Sequence, residues 1–362
     1  MPRDKPISVH ASRPGIMNDN EHGARREGSR GGGDSGMAIR SMLKAVYAAT
    51  VWLALGSPAV LLAQSYPVKP IRIFVSSFGS GPDIMARLIG QKLTEAWGQQ
   101  VVVDSRVGAS GRIAAEYVAR SAPDGYTLMI VTSQYAIVTA MYEKPTYDPT
   151  GDFAPIVLMA STPFVLVVHP SVPVKSVKEL IALAKARPGQ IHAGSGGTGS
   201  PVALALQRLK SMTGTDMLHV PYKTIAQSIT DTVAGQIHLT FGVVPAVLPI
   251  VRQGRLRGLG VTSLKRTPLA PELPPIAEAG VPGYEVIGWY GLVAPARTPV
   301  EIIAKLNGEV QKALQSTEMH DRLTSVGADA ANASTPHEFA SYLKAQIEFN
   351  RQLIKESGAQ RE

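Results

Sequence analysis

The sequence predicts a two-lobed α/β fold with parallel sheets flanked by helices. Short apolar runs alternate with helix-length amphipathic runs along most of the chain. Two of the apolar runs end in Gly/Ser-rich turns that open helices. Beyond its N-terminal region the chain keeps about 300 residues, more than one compact core usually holds.

The N-terminal region is set apart by composition. Residues 1–36 are polar and rich in Gly, Arg and Ser, and read as disordered or as an over-extended start with Met37 the alternative initiator. Residues 37–63 read as a signal peptide, with Arg40 and Lys44 ahead of the apolar run Ala45–Leu62 and a cleavage site at Leu61-Leu62-Ala63. A membrane anchor is the alternative, since a span needs ~20 apolar residues. The break at Gly56-Ser57-Pro58 argues for cleavage. A soluble exported protein is therefore expected.

The whole chain carries a net charge of +8, of which about +5 belongs to the part that folds. The excess is scattered, without Lys/Arg runs interleaved with aromatics, which argues against nucleic acid and for anionic solutes. There is no cysteine, so disulfides, thiolate metal sites and cysteine nucleophiles are excluded.

In chain order, Ile71–Val75 is the first strand and Ile84–Trp97 the first helix, stopped by Gly98. Val101–Asp104 is a strand and Ile113–Ser121 a helix. Pro123-Asp124-Gly125 is a turn, and Thr127–Val131 a strand ending in Thr132-Ser133-Gln134. Pro163–His169 reads as a buried strand crossing to the second lobe. Val177–Ala186 is a helix, Gln190–Ala193 a short strand and Val202–Thr213 the helix behind the second Gly-rich turn. Met217–Val220, Ile225–Ala234, Leu239–Phe241 and Leu259–Thr262 continue the alternation. Five prolines make Thr267–Gly283 a stiff connector, since they suit neither a helix nor a central strand. Tyr284–Pro295 carries the chain back, and helices at Val300–Leu314 and Pro336–Ser357 complete the first lobe. The expected division is 66–164 plus 287–362 against 165–286.

Where a strand feeds a helix through glycines, the first-turn N–H groups lack intrahelical acceptors and can hold an anion. Gly79, Gly81 and Asp83 form one such turn, with Ser76, Ser77 and Ser80 as further donors and Asp83 as the helix cap. Ile191–Pro201 forms the second. Its Gly194, Gly196 and Gly199 fit G-x-G-x-x-G, with Asp216 beyond, which formally matches a dinucleotide site. A small-anion contact and a plain turn are the other readings. No lysine follows for a phosphate loop, and Ala193 stands where a nucleophile elbow around Ser195 needs glycine. The six histidines beyond residue 63 form no H-x-H or H-x-x-x-H pair. Tyr222 and Lys223 are candidate ligand contacts, and Trp289 and Tyr290 read as packing at the lobe junction.

Ordered along the chain, Tyr66-Pro67-Val68-Lys69-Pro70-Ile71-Arg72, Ala122-Pro123-Asp124-Gly125-Tyr126-Thr127-Leu128, Tyr147-Asp148-Pro149, Asp152-Phe153-Ala154-Pro155, His219-Val220-Pro221-Tyr222-Lys223, Val261-Thr262-Ser263 and Glu278-Ala279-Gly280-Val281-Pro282-Gly283-Tyr284 are similar to the markers of tripartite tricarboxylate transporter receptors, the Bug family. The resemblance covers essentially all of 66–358. It implies a monomeric periplasmic solute-binding protein with the type II periplasmic-binding-protein fold, two lobes closing on a small organic carboxylate. It further implies delivery to the membrane permease subunits of such a transporter, no cofactor and no metal. The ligand-binding residues it implies are Ser77, Phe78, Gly79, Ser80, Gly81 and Asp83, then Thr132, Ser133 and Gln134, partly through ordered waters. The second lobe contributes Ser195, Gly196, Gly197, Thr198, Gly199 and Ser200, with Tyr222 alongside.

This chain departs from the family pattern at four places. The first loop, S-S-F-G-S-G-P-D, is one residue shorter and lacks the doubled glycine. Ala203 replaces a histidine, and His238 and Gly242 replace two aspartates. Loss of the acid at 242 points to a plain carboxylate over an amino acid, whose ammonium group would want it. An exported hydrolase or oxidoreductase on the same fold, or a sensor presenting its solute to a membrane kinase, are the alternatives.

Overall fold

The computed structural model describes residues 66–76, 78–142 and 146–356, within the unit 63–362. The expected disordered start, the signal peptide, Ser77 and Ser357 lie outside the described residues.

Strand β1 (Ile71–Val75) turns Ile71, Ile73 and Val75 to one core and Phe74 to another. This is the period-2 pattern of a strand covered on both faces. It feeds α1 (Gly81–Trp97), which buries Met85, Ala86, Ile89 and Leu93. The helix stops at Gly98, whose φ of 65° carries its N–H to the Thr94 carbonyl. Next come β2 (Val101–Ser105), α2 (Arg112–Ala119), β3 (Thr127–Thr132) and α3 (Ser133–Met141). Sequence leaves α3 unassigned because Tyr135 to Ala140 are all buried, so no polar stripe marks the helical period.

A correction concerns β4 (Phe153–Val168), which is 16 residues long and begins well before the expected Pro163. Pro155 sits at a bulge and Pro163 at the last pair with β9 (Ile287–Pro295), places where a missing N–H is tolerated. There β4 exchanges partners: Phe164 donates its N–H to Thr262 Oγ1 at 2.8 Å, and Thr262 N–H returns to the Phe164 carbonyl at 2.9 Å. The second half adds α4 (Val177–Ala186), β5 (His192–Ser195), α5 (Pro201–Thr213), β6 (Leu218–Pro221), α6 (Ile225–Val233), β7 (Leu239–Val243), α7 (Val244–Arg252) and β8 (Arg257–Val261). Helix α7 also escapes sequence reading, since Pro249 interrupts it while Val244, Val247 and Leu248 bury its face. After β9 come α8 (Val300–Leu314), α9 (Thr317–Ser325), β10 (Asp329–Ala330) and α10 (Pro336–Glu356).

The strand order is β2-β1-β3-β9-β4-β7-β5-β6, with β8 and β10 also pairing β4. Pairs β1/β2, β1/β3, β5/β6 and β5/β7 are parallel, while β9 and β4 run antiparallel to their neighbours. Along β4, Val165 and Val167 join one apolar cluster and Leu166 and Val168 another, so this strand too is buried on both faces. The parallel connections β1-α1, β3-α3 and β5-α5 all open helices at the C-terminal ends of their strands, the edge where α/β folds place ligands. Among the described residues no helix is long and apolar enough to cross a membrane.

Candidate functional site

The first turn is shaped by Asp83, though not as the expected helix cap. The N-cap of α1 is Ser80, followed by Gly81 and Pro82 in the first turn. Asp83 is 3% exposed and faces back under the loop, where its Oδ2 accepts the Gly79 N–H at 3.1 Å and Arg87 Nε at 3.2 Å. Arg87 Nη2 lies 3.1 Å from Oδ1. The carboxylate is thus compensated internally and does not oppose an anion in front of the helix. Gly79 takes a left-handed φ of 66° and Phe78 is exposed.

Tyr290 closes this turn from the sheet side. It pairs with Thr132 of β3 and Ala160 of β4, and a Cβ on Gly81 would collide with its hydroxyl and stand 3.0 Å from Cζ. Burial holds the phenol protonated, with its pKa above the usual range. Only the fold shows that Gly81, Thr132 and Tyr290 meet. The neighbouring Trp289 is core, packed edge-on to Phe339 and Tyr342. Thr132 is the N-cap of α3, Ser133 is buried and Gln134 is exposed.

The second turn is held by hydroxyls. Ser195 is fully buried, with Oγ 2.6 Å from His219 Nε2 and accepting the Gly197 N–H at 3.2 Å. Ser200 caps α5, accepting the Ala203 N–H at 3.2 Å and donating to the Gly197 carbonyl at 2.7 Å. Gly197 has φ 103°, and Gly196 leaves only 3.0 Å between an added Cβ and Ile225 N. Thr198 is exposed. At Gly199 an added Cβ would lie 3.4 Å from Met141 Sδ, so this turn touches the end of α3. Tyr222 donates its hydroxyl to Asp231 Oδ2 at 2.8 Å, and burial and that hydrogen bond push its pKa up to about 12.

Asp216 bears on the dinucleotide reading. It precedes β6, beside Gly189 and 3.9 Å from Lys210 Nζ. This is the N-terminal end of the parallel pair β5/β6, opposite the glycine turn, and a ribose bound at that turn would not meet it. Among the described residues no group of three His, Asp or Glu side chains is placed to hold a metal ion. His238 accepts the His192 N–H at 2.9 Å and packs edge-on against its ring. A Cβ at Gly242 would collide with Val247 and lie 3.2 Å from Ile229, so an acid there would enter apolar packing in this chain.

Between α3, α5 and α10 lies a cavity of about 570 Å³, large enough for a small organic molecule. Ser133 and Ile137 line it from α3, Pro201, Leu204 and Arg208 from α5, and Phe349 and Asn350 from α10. Of the residues expected from sequence, Ser133 alone is on this lining, and the others lie in the turns. Arg208 and Asn350 were not found by sequence reasoning, because an arginine or asparagine inside a regular helix carries no local signal.

His219 gives the site a pH dependence. Burial, then the Lys210 charge, lowers its pKa, so the folded protein binds this proton less readily than the unfolded chain. The two states are equivalent well above the unperturbed value of about 6.5. Stability falls as pH drops from there toward the folded-state pKa and levels off below it. His238, lowered by burial and by His192 and His169, acts in the same direction. The expected result is a melting temperature that declines between pH 7 and 5, less steeply in His219→Gln. An equal slope in that variant would remove His219 from the account.

The model of the tripartite tricarboxylate transporter family receptor matches residues 85–359. Protein BugT of Bordetella pertussis is 32% identical over 307 residues, covering 84% of this chain and 94% of its own. Among solved structures, R. palustris Rpa4515 with adipate is 38% identical with a TM-score of 0.71, over 81% of this chain and 98% of that one. MatC from Rhodopseudomonas palustris with bound malate is 28% identical with a TM-score of 0.67, over 80% of this chain and 100% of that one. Matched across this span, with the α/β fold of periplasmic binding proteins, the chain belongs to the receptor family of the tripartite tricarboxylate transporters, the Bug proteins, which are solute-binding proteins and not enzymes.

Proposed function

We propose that this chain is an exported periplasmic receptor that captures a small organic carboxylate and hands it to the permease subunits of a tripartite tricarboxylate transporter. Residues 66–164 with 287–362 form one lobe and 165–286 the other, hinged where β4 and β9 cross. The observation that carries the reading is the set of three strand-to-helix turns, at Gly79–Asp83, Thr132–Gln134 and Ser195–Ser200. The last touches α3 through Gly199 and Met141, and Ser133 and Pro201 share one cavity. First-turn amides favour negative charge, and the similar proteins with adipate and malate are carboxylate complexes. A plain carboxylate is the ligand class this reading favours, since the adipate and malate of the similar proteins carry no ammonium group.

Calorimetric titration and thermal shift with mono-, di- and tricarboxylates and amino acids test this. A ligand at 100 times its Kd should add about 2.7 kcal/mol of stability, and the recovered compound should be unchanged. A protein that responds to amino acids alone, or that transforms its ligand, would defeat the reading.

A further inference from the structure

Charge is divided unevenly along the chain. Residues 165–286 hold 12 Lys and Arg against 6 Asp and Glu, whereas 66–164 with 287–362 hold 16 against 17. The positive excess therefore belongs to the second lobe, and much of it gathers on one face. Lys178 and Lys185 are exposed about two turns apart on the same side of α4, and the exposed Lys175 stands just before its first turn. Arg257 Nη1 donates to the carbonyls of Val174 at 2.7 Å and Val172 at 3.3 Å, which fixes its guanidinium beside Lys175. The exposed Arg255 lies next to it on the chain side. On the other flank a Cβ on Gly280 would lie 2.7 Å from Lys178 Cγ, and the nearby Glu278 Oε2 lies 3.4 Å from Arg266 Nη2.

Acids balance little of this face. Glu179 turns back to accept the Lys175 N–H at 2.6 Å, bracing the start of α4, and Glu278 is taken by Arg266. Among the described residues no carboxylate lies within ion-pairing distance of Lys175, Lys178, Lys185 or Arg255. The face also lacks what anchors a protein partner, which is a cluster of aromatic or aliphatic side chains that become buried. Neither α4 nor β8 carries an exposed large apolar side chain, and Leu264, beside Lys265, stands alone in that respect within 254–286. A diffuse layer of negative charge needs no such anchor, since each Lys or Arg near an anionic bilayer contributes on its own. We infer that this basic face docks on the anionic phospholipid surface of the membrane that carries the permease, so that charge holds the receptor close to its partner. This rests on the receptor reading above and adds an interaction surface to it. The carboxylate site stays open in that pose. Arg257 opens β8 opposite Val168 at the end of β4, whereas Ser195 closes β5, and β4 runs antiparallel to β7, which is parallel to β5. The Arg257 end of the face and the Ser195–Ser200 turn thus lie at opposite edges of the strands.

Vesicle flotation tests this with the purified protein. Vesicles of phosphatidylcholine alone would be compared with vesicles holding about one-quarter phosphatidylglycerol, at ionic strengths of about 0.01 and 0.15 M. The wild-type protein is expected to float with the anionic vesicles only and to be released as salt rises. Combining Lys175→Glu, Lys178→Glu and Lys185→Glu should lower the partition coefficient at least tenfold at low salt, and glutamine at the same positions should lower it less. Lys312→Glu, Lys344→Glu and Lys355→Glu together make the same change in net charge on exposed positions of the other lobe, and should lower it far less. Equal losses in the two triple variants would show that net charge alone is read and would overturn the assignment of this face. Binding to neutral vesicles, or no flotation at low salt, would overturn it too. Melting curves and carboxylate titration of the same variants should match the wild type, so a failed flotation leaves carboxylate capture intact. A protein that floats as described and binds no carboxylate keeps this surface and loses the receptor reading.

Discussion

Gly291→Val is expected to cost about 3 kcal/mol of stability, the upper end of what overpacking a core usually costs. Gly291 lies mid-strand in β9, opposite Val131 of β3 on one side and Leu158 of β4 on the other. A Cβ there would overlap Phe339 Cζ and lie 2.8 Å from Cε1 and Cε2. Phe339 is fully buried, with its ring centroid 6.1 Å from that of Trp289. The strand is pinned by hydrogen bonds on both edges and the ring by its neighbours, so neither can yield cheaply. Urea titration should show the midpoint fall with little change in slope. Adding Phe339→Leu should recover part of the loss, since a shorter side chain vacates the space. A midpoint equal to wild type would mean that the ring moves freely, against this account of the junction.

Gly81→Val is expected to weaken carboxylate binding at least tenfold, about 1.4 kcal/mol, with a smaller effect on folding. Two constraints meet at Gly81. Its Cβ position is taken by the Tyr290 hydroxyl. It also precedes Pro82 within the helix, where a residue with a Cβ is disfavoured in the helical region. A valine must push the first turn of α1 away from β9 and misaim its N–H groups. Removing the hydroxyl with Tyr290→Phe relieves the first constraint in part, since Cζ remains 3.0 Å away, and leaves the second in place. The double variant should therefore recover part of the affinity, and the cycle measures the contact directly. Strict additivity of the two changes would show that Gly81 and Tyr290 do not act through each other.

The elements that sequence reading found share one property: their burial pattern is visible locally. The alternation in β1, the stripe of α1 and the glycine stop at Gly98 are written in neighbouring residues. Among the elements it lost, α9 keeps a local signal in its Ser316 cap and the buried pair Met319 and Leu323, whereas the others are those whose surroundings remove the pattern. Helix α3 is apolar on every side because β9, α10 and the second turn surround it. The first eleven residues of β4 contain two prolines that a central strand tolerates only because a bulge and a change of partner fall there. Helix α7 keeps Pro249 because its packed face outweighs the lost hydrogen bond.

The same division runs through the site. By itself the sequence determined the α/β class, the two glycine-rich turns at helix starts and the family, since turns and ordered motifs are set by residues close together in the chain. Only the tertiary structure decided that Asp83 braces its loop from beneath, that Ser195 is held by His219, that Tyr290 rests on Gly81, and that Arg208 and Asn350 share a cavity with Ser133. Each of these joins side chains through the sheet and helix packing. Distances of that kind follow from how β4 and β9 bring distant segments together, which no local pattern encodes.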